Sequence, residues 1–176
     1  MKLKNIAFSL IPVSLIATPL VAVSCNNDKP SNNPSSTFDP SKLKSQLSST
    51  QLKYIKDGLY LSATASAIKK YDQSSDKKDY VKNTLFTSIP KEFTSTKIDP
   101  NGSNWKEADE VLKYKSFTDN FMLEIPDMSF CRGTHKLLIT FYYDENTNTI
   151  KLYYLVQCLT RVGYEQMDFI VYNPEE

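Results

Sequence analysis

Glycine, arginine, histidine and tryptophan are all scarce in this 176-residue chain, and the first two shortages bear directly on function. The four glycines, Gly58, Gly102, Gly133 and Gly163, stand thirty or more residues apart. Phosphate-binding loops and dinucleotide-binding turns need clustered glycines so that the backbone can approach the phosphate, so neither is expected. Arg132 and Arg161 are the only arginines. Bidentate clamps on phosphate or carboxylate, the arrangement arginine serves best, are therefore few. Charge of one sign is also missing. The chain has 21 basic and 20 acidic residues, a formal +1. Without residues 1–24, which carry Lys2 and Lys4 and no acid, 19 basic residues face 20 acidic ones. A near-neutral domain has no electrostatic footprint for nucleic acid, and none is expected as a partner.

Hydrophobic residues make up 40% and aromatic residues 12% of the chain, enough for a packed core rather than a disordered polymer. The one long apolar run is Ile6 to Val23, preceded by Lys2 and Lys4. Its 18 residues are short for a membrane span, and Pro12 and Pro19 each remove a helical hydrogen bond. A basic start, an apolar middle and small residues at the end describe a signal peptide, with an uncleaved anchor as the rival reading.

Ala22-Val23-Ser24-Cys25 resembles the lipobox of bacterial lipoproteins. Small side chains there suit a narrow peptidase site, and the cysteine thiol is what takes the lipid. Ala22 stands where leucine is commoner. With Asn26-Asn27 and the Lys-, Asn- and Ser-rich stretch beyond, the start of the chain is similar to mollicute surface lipoproteins. The resemblance covers about thirty residues. It implies cleavage before Cys25, lipidation of that residue, and a place on the extracytoplasmic face of the cell membrane. It implies no activity for the rest.

Three segments are thus expected: a signal peptide over 1–24, a lipidated Cys25 with a tether over 25–38, and one α+β domain over 39–176. The tether holds Pro30 and Pro34 among polar residues and cannot offset its own ordering entropy. In the domain, helices come first. Asp39-Pro40 suits a helix start, and Leu43, Leu47, Tyr54, Leu61, Ala65 and Ile68 recur as one helical face, bent or split at 48–50 or at Gly58. A second helix is expected over 76–86, with Tyr80 and Leu85 inward. A third is expected over 105–112, capped by Asn104 with Glu107.

An antiparallel meander of about four strands should follow, over 117–125, 136–143, 150–158 and 165–172, all rich in β-branched and aromatic residues. Residues 144–148 form a turn by composition. Placing Tyr143 opposite Ile150 sets Phe141 against Leu152, Ile139 against Tyr154 and Leu137 against Val156, an apolar face. The other face carries Tyr142, Thr140 and Leu138 against Lys151, Tyr153 and Leu155. It is mixed and expected to be half exposed.

Residues that could carry chemistry are few. Cys131 and Cys158 could form a disulfide outside the cell, closing a loop of about 27 residues. The register opposes this, because Cys158 falls opposite position 135, four residues beyond Cys131, and separate buried thiols are favoured. His135, the only histidine, then faces Cys158, the minimal pair of thiol catalysis. Cys131, His135 and Cys158 also suggest zinc, but a fourth ligand is not evident, so neither metal nor cofactor is expected. Tyr142 and Tyr153 are the candidates for a binding face. Three functions follow: a non-enzymatic binding module for a protein or glycan ligand, a small membrane-surface hydrolase using Cys158 and His135, or an accessory subunit of a membrane complex.

Overall fold

The computed structural model describes residues 47–102, 104–160 and 163–174. The signal-peptide and tether assignments, with Ala22, Val23, Ser24 and Cys25, and the helix start expected at Asp39-Pro40 with Leu43, lie outside the described residues.

A long hairpin organises the sheet. Strands β4 (His135–Asp144) and β5 (Thr149–Cys158) pair antiparallel through all ten residues of each, in the register the apolar alternation requires. Leu137, Ile139, Phe141 and Tyr143 meet Val156, Tyr154, Leu152 and Ile150, and all eight are buried. A slip of one residue would turn that set outward, so burial of one face locks the register. The turn is held by its own polar groups. Asp144 Oδ1 accepts from the Asn146 amide at 3.0 Å, and Asn148 adopts the left-handed conformation, φ 54°. The Tyr143 hydroxyl donates to Asn148 Oδ1 at 2.8 Å.

Strand β6 (Tyr164–Tyr172) follows on the far side of β5 and forms one edge of the sheet. A two-residue strand, β2 (Lys106–Glu107), pairs with β4 on the other edge, giving the order β2-β4-β5-β6. The meander is therefore β4-β5-β6. The strand expected over 117–125 is shorter, β3 (Phe121–Glu124), and leaves this sheet to pair with β1 (Tyr60–Ala63). Residues ahead of it form a short helix, α4 (Lys115–Thr118), which buries Phe117.

The helical half is more broken than its periodicity suggests. Helix α1 (Ser49–Gly58) starts at a capping box: Ser48 Oγ accepts from the Gln51 amide at 3.2 Å, and Gln51 Oε1 accepts from the Ser48 amide at 2.8 Å. Helix α2 (Ala65–Gln73) starts at Thr64, whose side chain caps Ala67. Leu61, counted with the helical face, belongs to β1 between them. Tyr54 and Ile68 point to solvent, while Ile55, Ala67 and Tyr71 face inward. The strand between α1 and α2 resets the helical phase, so one stripe cannot continue through both.

Helix α3 (Lys77–Tyr80), capped by Asp76, continues as a π-helical segment over Val81–Phe86 and buries Val81 and Leu85. The third expected helix is instead β2 followed by a 3₁₀ segment, Ala108–Lys113. Asn104 does not cap it, since its side-chain amide donates to the Thr94 carbonyl at 2.8 Å. Helices, 3₁₀ segments and β1–β3 pack on the inner face of the large sheet, and Phe93, Phe117, Phe121, Phe141 and Tyr154 fill the centre. The fold class is α+β.

Candidate functional site

Among the described residues, two places gather side chains that could act. The first is the outer face of the sheet. Tyr142 on β4, Tyr153 on β5 and Phe169 on β6 stand side by side, with ring centroids 6.5 Å and 5.1 Å apart. Alternation along β6 brings Met167 and Val171 onto the same face, opposite Leu155 and Lys151. Phe169 is 39% and Val171 49% exposed. The Lys151 ammonium lies 5.4 Å from the centre of the Phe169 ring and pairs with Asp144 at 2.7 Å. Hydrogen bonding to Lys151, then to the Asn146 amide, holds the Asp144 carboxyl below its ordinary value. The rows supplied by Tyr142 and Tyr153 were legible from the hairpin alone. Phe169 required the pairing of β6.

Only part of this face is open, so the surface expected to be half exposed is closed at one end. Thr140 is 2% exposed and its hydroxyl donates to the Phe93 carbonyl at 3.2 Å. Residues 93–95 run along the edge of β4, where Thr94 bridges to Phe141 and the Ser95 amide donates to the Phe141 carbonyl at 2.9 Å. The loop that follows folds over Thr140, and Trp105 lines a cleft of about 380 Å³ with Leu138, Leu155, Gln157 and Tyr164. Only tertiary folding decides that a loop fifty residues upstream of β5 covers this end.

The second place is beneath the surface, where β4 begins and β5 ends. His135 and Cys158 are directly paired across the hairpin, as the register requires. A third residue joins them that strand alternation does not reveal. Val156 pairs with Gln166, yet Gln157 pairs with Tyr164, so Glu165 is the extra residue of a β-bulge. In an unbroken strand Glu165 would share the outer face with Gln157. The bulge re-aims it inward, as bulges do. Its Oε1 lies 3.4 Å from His135 Nε2, and the two side chains are 0% and 1% exposed.

The donor atoms of His135, Cys158 and Glu165 all lie within 4.8 Å of one another. Hydroxyls flank the group: Thr134 Oγ1 is 2.9 Å from His135 Nδ1, and Thr160 Oγ1 is 3.4 Å from Cys158 Sγ. Cys131 and Cys158 are separate thiols, both buried. The turn after Cys131, with Arg132 and Gly133 at φ 49° and 74°, spends the four-residue offset and brings His135, rather than Cys131, opposite Cys158.

A thiol, an imidazole and a carboxylate are also the members of a cysteine-hydrolase triad. Nucleophilic attack requires the sulfur to reach an acyl carbon, and all three side chains are buried. Among the described residues no helix is long and apolar enough to cross a membrane. No known family, curated protein or solved structure matches the chain.

Proposed function

We propose that this chain is a lipid-anchored protein of the extracytoplasmic membrane face, whose domain binds a protein partner through the open part of its sheet. One observation supports the binding reading above the others: three aromatic rings from three adjacent strands form a contiguous, accessible row flanked by Val171, Met167 and Lys151. Aromatic side chains offer large contact area at low entropic cost, and depletion of charge at the centre of such a patch is typical of protein interfaces. The anchoring half rests on the Lys2–Lys4 start, the apolar run and Ala22-Val23-Ser24-Cys25.

Each half has its own test. Cys25→Ser should abolish lipidation and leave the precursor uncut or the domain released. Unchanged detergent partitioning, with no diacylglycerol missing from the mass, would refute the anchor. For the face, a photo-crosslinking residue placed at Tyr153 in the full chain should trap a protein adduct on intact cells. The same residue at Tyr60, which is exposed on β1, should not. Equal trapping at both positions, or trapping of glycan alone, would remove the protein-binding reading. The hydrolase alternative predicts rapid labelling of Cys158 at neutral pH in the folded protein, and its burial argues for slow labelling.

A further inference from the structure

We propose that His135, Cys158 and Glu165 form a binding site for one zinc-class divalent cation that staples β4, β5 and β6 together at the end of the sheet. The hydrogen-bond bookkeeping around His135 points to a cation. The Thr134 hydroxyl donates its single proton to the Cys131 carbonyl at 2.6 Å. Towards His135 Nδ1, 2.9 Å away, it can therefore only accept, so Nδ1 carries hydrogen. In the neutral ring the lone pair is then on Nε2, and Nε2 faces the Glu165 carboxylate at 3.4 Å. Two acceptors would confront each other inside the protein. A doubly protonated ring or a protonated Glu165 carboxyl would relieve this, but a charged N–H to a carboxylate closes to about 2.7–2.9 Å and a carboxyl O–H bonds at about 3.0 Å or less.

A metal ion resolves the confrontation with the spacing observed. Zinc bound to nitrogen and oxygen at about 2.0–2.2 Å in tetrahedral geometry holds those donors about 3.4 Å apart. The sulfur, within 4.8 Å of both, closes the remainder by a small rotation of the Cys158 side chain. Imidazole and thiolate select zinc-class metals over calcium or magnesium. Charge favours the same ion, because a thiolate and a carboxylate among the ligands offset the charge of a divalent cation and lower the cost of burying it. On binding, the Cys158 thiol releases its proton to solvent, and a water or the Thr160 hydroxyl completes the fourth position. A histidine ligand whose second nitrogen is anchored by hydrogen bonding is the usual arrangement in such sites, and Thr134 provides that anchor here. The carboxylate, absent from the sequence-based zinc pattern, replaces Cys131 in it.

The test uses the full chain stripped of metal by a chelator, with zinc and cobalt(II) as probes. One equivalent of zinc should bind and raise the melting temperature, and affinity should fall as pH is lowered. Cobalt(II) should give a thiolate-to-metal charge-transfer band with the visible bands of a tetrahedral site. Cys158→Ser should lose the charge-transfer band, whereas Cys131→Ser should keep it. Thr134→Val should weaken zinc by roughly 10–100-fold, the range for losing a ligand's hydrogen-bonding partner, and Glu165→Gln by more. Circular dichroism checks that each variant is folded. Failure of the wild-type protein to bind stoichiometric zinc overturns the proposal without recourse to any variant. A cobalt band that survives in Cys158→Ser and vanishes in Cys131→Ser overturns it equally.

Discussion

Ile139 and Thr140 are neighbours on β4, and both are buried, one by strand alternation and the other by a loop. Ile139 faces the helices, so Ile139→Ala should cost about 2–5 kcal/mol through lost burial and the cavity left behind. Thr140 would be a surface residue by alternation alone. Because its hydroxyl satisfies the Phe93 carbonyl, Thr140→Val should cost about 1–3 kcal/mol rather than nothing. Denaturant melts of the two variants measure both, and a silent Thr140→Val would show that the loop does not seal this end. Gly58 presents a different constraint. A Cβ added there would lie 2.8 Å from the Cβ of Pro126, whose ring cannot swing away. Gly58→Ala should therefore destabilise by about 1–3 kcal/mol in a thermal melt, in spite of alanine's better helix propensity.

Among the elements, the hairpin was the most legible, because ten residue pairs each vote on the same register. Its turn offers a clean measurement. Asn148→Gly keeps the left-handed backbone and loses the bond from Tyr143, about 1 kcal/mol. Asn148→Val loses that bond and adds about 1–2 kcal/mol of left-handed strain. Equal stabilities of the two variants by urea titration would mean that the turn relaxes out of this conformation. The bulge in β6 was not legible. The segment from Tyr164 to Tyr172 reads as continuous alternation, and nothing in its composition marks Glu165 as the extra residue. Register shifts are set by pairing with β5, so they become visible only once both strands are placed. The helices were legible in part: breaks expected at 48–50 and at Gly58 fall at the two ends of α1, but apolar spacing does not say that Tyr60–Ala63 is a strand.

For the molecule as a whole, buried phenols make alkaline stability a readout of core integrity. Burial, with smaller contributions from Tyr71 and Tyr80, raises the Tyr172 phenol from near 10 to about 12. Burial, then Asp168 and Asp57, moves Tyr154 upward as well. A phenol that ionises more easily when unfolded holds on to its proton in the folded state. Its stabilising contribution is therefore whole below pH 10 and declines as pH rises through 12. Denaturant midpoints should be flat up to about pH 9 and fall between 10 and 12. Phenolate absorbance should appear in two phases, exposed tyrosines first and the buried ones, Tyr154 and Tyr172 among them, only with unfolding. A single phase near pH 10 with no loss of stability would mean that the core around Tyr154 and Tyr172 is open to water.

The sequence by itself determined the α+β class, the hairpin register and the meeting of His135 with Cys158, because these follow from local alternation and chain order. It also contains the whole basis for the proposed anchor at Cys25, a motif read without any fold. Tertiary structure alone decided the remainder: which end of the outer face the 93–105 loop covers, which sheet β3 joins, and where Glu165 points. Each of these depends on contacts between segments far apart in the chain, and a residue's local pattern carries no record of the partner that will cover it.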